Sequence, residues 1–368
     1  MRILPFFFLF SIAYANVSAR SMKIYVQQEN WQKALENANK WKDEEPDNAE
    51  PYLWIGYIYS RLGDYKSAGL NFFEGYNKNP KFYEKKEFEK KLSISGQNLL
   101  KYDQFLIVLT NSAIQFYNEE NYDDAIKISE FIIKLDPNNS NAYQIASSSY
   151  QIKAQKEKDE NKKSELLNKS RQLLEAYNNK NPNDPKAKYY LALFYYDDAQ
   201  NYLLKNDTIN HKQSLIKAKE LLESAVKLDT TKPEIYFELA EVYFELGDYK
   251  NASINYEKSS KLDSTKFETF YNLAISYMKQ KNYNNALKAL FNADKIKPND
   301  YQVLYFIALL YFENKDDKNA LEYVNKAISV KETSMAYELK ANILKNLKKN
   351  EEALKAIEKA EELKKKGL

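Results

Sequence analysis

An alanine recurs at Ala252, Ala286, Ala320 and Ala353, spaced by 34, 34 and 33 residues, and this period constrains the fold more than any composition figure. Other positions keep step with it. Small residues fall at Ala240, Ala274, Ala308 and Ala341, followed three positions later by Tyr243, Tyr277, Tyr311 and Leu344. Leu239, Ala240 and Tyr243 therefore share one face of a helix, while Ala252, Tyr256 and Ser259 mark the face of a second. Between them stands Glu245-Leu246-Gly247-Asp248-Tyr249, whose glycine suits a helix end in the left-handed conformation. The unit is helix, tight turn, antiparallel helix. One such hairpin cannot bury both of its apolar faces, so neighbouring copies must cover them and stability is shared along an array.

Tyr236, Leu239, Ala240, Tyr243, Gly247, Tyr249, Ala252 and Tyr256 together resemble the tetratricopeptide repeat, a family of 34-residue helical hairpins. Phe270, Leu273, Ala274, Tyr277, Tyr283, Ala286, Ala293 and Pro298 repeat the pattern, with Lys281 in place of the glycine. Tyr52, Ile55, Gly56, Tyr59, Gly63, Tyr65, Ala68, Phe72 and Pro80 form another copy. The resemblance implies an all-α fold, a right-handed superhelical solenoid of about eight to nine antiparallel helix pairs with two expanded central repeats. On this reading residues 20–82 hold the first repeats, the opening helix starting near Arg20, and residues 83–105 are a helical insertion. Residues 106–232 hold degenerate and expanded repeats, 233–333 regular ones and 334–368 a capping repeat. The expansions, Lys153 to Lys163 and Leu204 to Gln213, are polar and are expected to lengthen paired helices and end in mobile tips.

With 44% apolar and 14% aromatic residues the chain can bury a large core, and its 7 Gly and 9 Pro are too few for the turns of a β-sandwich or barrel. The 55 basic and 52 acidic residues leave a charge of +3, too balanced for a dedicated nucleic-acid binder. There is no cysteine and His211 is the single histidine, which closes thiol, multi-histidine metal and His-dependent triad chemistry. These absences point away from an enzyme, and no cofactor or metal is expected. Met1 and Arg2 precede an apolar run from Ile3 to Ala15 that ends in Ala13-Tyr14-Ala15 and reads as a signal peptide at residues 1–15. Val17-Ser18-Ala19 offers an alternative cleavage after Ala19, and an uncleaved N-terminal tether is the other alternative. The mature chain is expected to be exported, periplasmic or extracellular, without stable membrane insertion.

The carboxylate pairs Asp123-Asp124, Asp197-Asp198 and Asp316-Asp317 read as structural, two of the three sitting at helix starts as caps and dipole partners, and His211 reads as a solvent-exposed residue of a polar insertion. Tyr236, Tyr243, Tyr249, Tyr256, Tyr277, Tyr283 and Tyr311 take repeat-packing positions and read as core. The informative residues are those of each first helix that do not face partner helices, the surface that lines the concave groove in the resembling family. From 233 to 313 they are Glu234, Phe237, Glu238, Glu241, Phe244, Glu245, Tyr271, Asn272, Ile275, Met278, Tyr305, Phe306, Leu309 and Phe312. The lysine-plus-asparagine clamp that some family members use for a terminal carboxylate is missing, since Phe237, Glu241, Tyr271 and Ile275 occupy its first-helix positions. An aromatic strip with carboxylates at one end fits a protein partner, an amphipathic helix or extended peptide with a basic end. The function expected is a non-catalytic interaction scaffold of the cell envelope. Two alternatives stand behind it: a self-assembling subunit, a homo-oligomer whose groove is filled by a second copy, and a hydrolase using only carboxylates.

Overall fold

The computed structural model describes residues 16–367, so the leader read at 1–15 lies outside the described residues. The fold is all-α: nine helix pairs among the described residues, grouped in two compact units, 1–182 and 183–368. In the first unit α1 (Val17–Gln27) pairs with α2 (Trp31–Glu44), α3 (Ala49–Arg61) with α4 (Tyr65–Lys78), α6 (Tyr102–Asn118) with α7 (Tyr122–Leu135) and α8 (Ser140–Lys156) with α9 (Glu160–Lys180). In the second, α10 (Pro185–Leu204) pairs with α11 (Thr208–Leu228), α12 (Pro233–Glu245) with α13 (Tyr249–Leu262), α14 (Phe267–Lys279) with α15 (Tyr283–Ile296), α16 (Tyr301–Glu313) with α17 (Asp317–Val330) and α18 (Ser334–Asn346) with α19 (Asn350–Lys365). The boundary between units falls inside the stretch 106–232 that the sequence reads as one run of repeats.

Close approach of paired helices depends on the small residues of the repeat. Ala240, Ala252, Ala274, Ala286, Ala308 and Ala320 are all completely buried. Gly56 serves the same purpose in α3: a Cβ there would stand 2.7 Å from the ring of Phe72. A second device ties successive pairs. The tyrosine near the end of a first helix donates its hydroxyl to a glutamate 20 residues earlier on the preceding second helix, as in Tyr150 to Glu130 (2.8 Å), Tyr243 to Glu223 (2.5 Å) and Tyr277 to Glu257.

The turns within pairs share one design. In eight of the nine pairs the residue before the second helix's cap has positive φ, and only Gly63 and Gly247 of these are glycines. Glu29, Glu120, Asn206, Lys281, Lys315 and Lys348 hold φ between 53° and 63° instead. The cap's backbone N–H then closes a bond back into the first helix, as in Asp248 to Tyr243 and Asn282 to Tyr277, both 2.9 Å. Asp248 and Asp316 also accept bonds from backbone N–H groups of the helix they open, at 3.1 and 3.2 Å.

The structure corrects three expectations: the start of the first helix, the form of the insertion and the setting of His211. The opening helix starts at Val17, not near Arg20, because Asn16 caps it by accepting from the Ala19 N–H at 3.1 Å. The 83–105 insertion is helical only in α5 (Lys85–Lys91) and then forms a hairpin of β1 (Ser93–Ile94) and β2 (Gln97–Asn98). Ser95 and Gly96 at its turn have φ of 51° and 79°, the left-handed pair that matches strand twist in a two-residue hairpin, and α6 already begins at Tyr102. Phe88 and Leu92 of the insertion are completely buried, and Phe88 stacks on Phe105 with ring centres 4.2 Å apart. The expansions at 153–163 and 204–213 lengthen their paired helices as the sequence suggested, with three-residue turns at 157–159 and 205–207 as tips. His211 is half-buried inside α11, its Nδ1 lying 3.0 Å from the Ala199 carbonyl oxygen of α10.

Substitutions at one turn and one crossing test these contacts. Lys281→Gly should raise stability in urea unfolding by about 0.5–1 kcal/mol, since glycine adopts the left-handed turn without its steric cost, only partly offset by greater unfolded-state entropy; a loss would contradict the turn analysis. Ala274→Leu should overpack the α14–α15 crossing and cost about 1–3 kcal/mol in the same assay.

Candidate protein-binding surface

The first helices of the second unit lie side by side and expose what their pairing leaves uncovered. Asn272 of α14 donates from Nδ2 to Glu241 Oε1 of α12 at 2.5 Å, and the Tyr256 hydroxyl donates to the same oxygen from α13. Tyr271 of α14 meets Phe306 of α16 at 6.0 Å between ring centres, and its hydroxyl donates to Gln302 Oε1 at 3.2 Å. The residues predicted from sequence to line this face are half-buried, with Glu245 exposed. They are neither core nor free surface. Phe237 sits edge-on to Tyr256, Phe244 edge-on to Tyr249, and Tyr305 packs between Tyr301 and Phe306. Rings held this way present fixed apolar area, which costs little ordering entropy on binding. Of the tyrosines read as core, Tyr236, Tyr256 and Tyr277 are buried, and Tyr243, Tyr249, Tyr283 and Tyr311 half-buried.

The carboxylate end of the strip has unusual electrostatics. Burial, then repulsion from Glu241 and Asp197, raises Glu238 from 4.5 to about 7, while Lys266 pulls the other way. Asp197 of α10 is exposed to water, yet crowding by surrounding protein raises its carboxyl as well. Burial together with Glu241, Glu245 and Glu238 drives the Tyr196 hydroxyl up, and burial with Glu238 and Glu234 does the same for Tyr189. An excess of negative charge thus converges between α10 and α12. Sequence reasoning missed the α10 contribution by starting the strip at residue 233. The same frame, counted from Ala192 as from Ala240, places Tyr189, Tyr196 and Asp197 where Phe237, Phe244 and Glu245 stand. The other acidic pairs behave as helix starts: Asp316 caps α17, and Asp123 and Asp124 lie in the first turn of α7. No cluster of three or more His, Asp or Glu side chains suited to a metal occurs among the described residues.

The first unit treats the corresponding face of α3 differently. Leu53, Trp54 and Tyr57 are buried there, with Lys23 of α1 over the Trp54 ring at 5.2 Å. Lys91 of the insertion reaches Glu50 at 2.9 Å.

One family profile, described as anaphase-promoting complex, cyclosome, subunit 3, matches residues 207–293 and 288–360, and a second, tetratricopeptide repeat, matches residues 49–71. The C-terminal part of a TPR repeat-containing protein from Cytophaga hutchinsonii shares the fold, with a TM-score of 0.51 at 20% identity over 69% of this chain and 95% of that one. These matches support placing the chain among tetratricopeptide-repeat proteins. More distant are YrrB, a TPR protein with an unusual peptide-binding site (TM-score 0.44, 14% identity, 56% of this chain and 94% of that one), and MamA from Desulfovibrio magneticus RS-1 (0.41, 21%, 48% and 96%). No protein of curated function matches the chain. The chain departs from a regular repeat in the insertion after α4 and in the long α9, α10 and α11, the other paired helices being 11–17 residues long.

Glu238 has a consequence for stability. Its folded value lies above 4.5, so the stability it contributes is fully present below about pH 4.5 and is lost as pH rises through about 7. Glu238→Gln should therefore be more stable than wild type by roughly 1–3 kcal/mol at pH 8 and little different at pH 4, as measured by urea unfolding. An advantage independent of pH would contradict the assignment.

Proposed function

We propose that the protein is an exported, non-catalytic interaction scaffold that binds a peptide or amphipathic helix of a protein partner along the first-helix face of α10, α12, α14 and α16. The observation that carries this reading is the continuity of half-buried aromatic side chains with a patch of mutually repelling carboxylates at one end. Apolar side chains of the partner pack on Phe237, Tyr271 and Phe306, and a lysine or arginine beyond them seats against Glu238 and Asp197. A cation at that position favours ionised Glu238, so binding releases a proton and affinity rises between about pH 6 and pH 8.

The test is crosslinked affinity capture from native envelope with wild type and with Phe237→Glu plus Tyr271→Glu, the fold being checked by circular dichroism. The proposal expects a specific protein to be lost from the folded variant and its capture by wild type to strengthen from pH 6 to 8. Equal capture by both chains would remove the face from the account, and a wild-type dimer that becomes monomeric in the variant would replace the partner with a second copy.

Export rests on the apolar leader and on the contacts of the residues next to it. Asn16 caps α1 and donates to Glu45 at 2.9 Å, Ser18 donates to Glu44 at 3.1 Å, and Ser18 and Ala19 are buried. Cleavage after Ala15 keeps these contacts and cleavage after Ala19 removes them. Among the described residues no helix is long and apolar enough to cross a membrane. The mature chain should begin at Asn16 by intact-mass measurement; a start at Arg20 or Met1 would contradict this.

A further inference from the structure

Where the insertion folds back on the first repeats, it leaves a cleft of about 450 Å³. One wall comes from the repeats: Trp31 at the start of α2, and Tyr57 and Arg61 one turn apart on α3. The other comes from the hairpin, through Ile94, Gln97 and Leu99. Val26 and Gln27 of α1 and Glu29 at the left-handed turn complete the rim. The volume lies in the range of small-molecule sites, and the lining combines apolar faces with a few fixed polar groups, as such sites do.

Its charges are paired in number but not with each other. Arg61 and Glu29 both line the cleft, and no ion pair joins them. Arg61 instead lies over the Trp31 ring at 5.4 Å, and Tyr57 meets the same ring edge-on at 6.2 Å. Both charges act on the Tyr57 hydroxyl, which burial pushes up, Arg61 pulls down and Glu29 pushes up again. One positive and one negative side chain therefore line the same cleft as the Tyr57 hydroxyl, with apolar surface beside them. A ligand that carries a carboxylate and an ammonium a few bonds apart, on an apolar body, complements every element of this arrangement.

We propose that this cleft binds a free α-amino acid with an apolar side chain, its carboxylate on Arg61, its ammonium on Glu29 and its side chain between Trp31, Ile94 and Leu99. The site is separate from the first-helix face of the second unit and does not rest on the reading of that face. The insertion is what creates it, which gives a physical reason for the hairpin in an otherwise repetitive chain.

The test is isothermal titration of the full mature chain with L-leucine and L-phenylalanine, and with their N-acetyl and carboxamide derivatives. The free amino acids should bind, and blocking either end should weaken binding by about tenfold or more, since each block deletes one charge contact. Arg61→Gln and Glu29→Gln, both at exposed side chains, should each weaken the free amino acid by a similar factor while the circular dichroism spectrum is unchanged. Blocked and free forms binding equally, or no binding by either amino acid up to about 10 mM, would overturn the proposal, because it assigns a separate charge contact to each end of the ligand.

Discussion

The crossing of two helices over small residues is the contact on which the rest depends. Alanine at Ala240, Ala274 and Ala308, and glycine at Gly56, let each first helix lie close to its partner. The bulky residues one position before, Leu239, Leu273 and Ile307, are buried as a result. Because a single hairpin leaves one apolar face bare, each pair is stable only against its neighbour, and contacts such as Tyr243 to Glu223 fix the spacing from one pair to the next. The side chains left over on each first helix then recur at one angle, which turns a local packing rule into an extended surface.

The two units spend that surface differently. In the first, Leu53, Trp54 and Tyr57 of α3 are buried beneath neighbouring elements, with α1 and the insertion both making contact there. In the second, the equivalent positions stay half-buried and carry their own electrostatic tension, because Glu238, Glu241 and Asp197 converge and Lys266 offsets them only in part. A surface that is ordered by ring contacts yet short of positive charge is prepared for a ligand that supplies it.

Most of the fold was legible in the sequence because the repeat encodes it redundantly: alanine spacing, the tyrosine three positions on, and caps such as Asp248 and Asp316 all agree. The features that were not legible have particular physical causes. Six of the eight left-handed turn residues are not glycine, so Lys281 and Lys315 give no signal of their conformation; the cap next in the chain supplies it. The hairpin at 93–98 is too short for an alternating pattern, and its Ser95-Gly96 turn was the only cue. The polar residues at 153–163 lengthen α8 and α9 as their composition suggested, but the position of the three-residue turn at 157–159 had no glycine or proline to mark it. At the candidate site the individual residues were legible on the regular helices. Asp197 and Tyr196 were not, because α10 belongs to an expanded pair, and the shift of Glu238 depends on which side chains the fold brings beside it.

The central claim is that partner recognition takes place on the first-helix face of the second unit. Its most direct test is site-specific photocrosslinking in the native envelope, with the photoreactive residue placed in turn at Phe237, at Phe306 and at Ile254, which is exposed on the second helix α13. The account predicts that Phe237 and Phe306 yield crosslinks to one and the same protein and that Ile254 yields none to it. Crosslinks to that protein from Ile254, with none from Phe237 or Phe306, would contradict it.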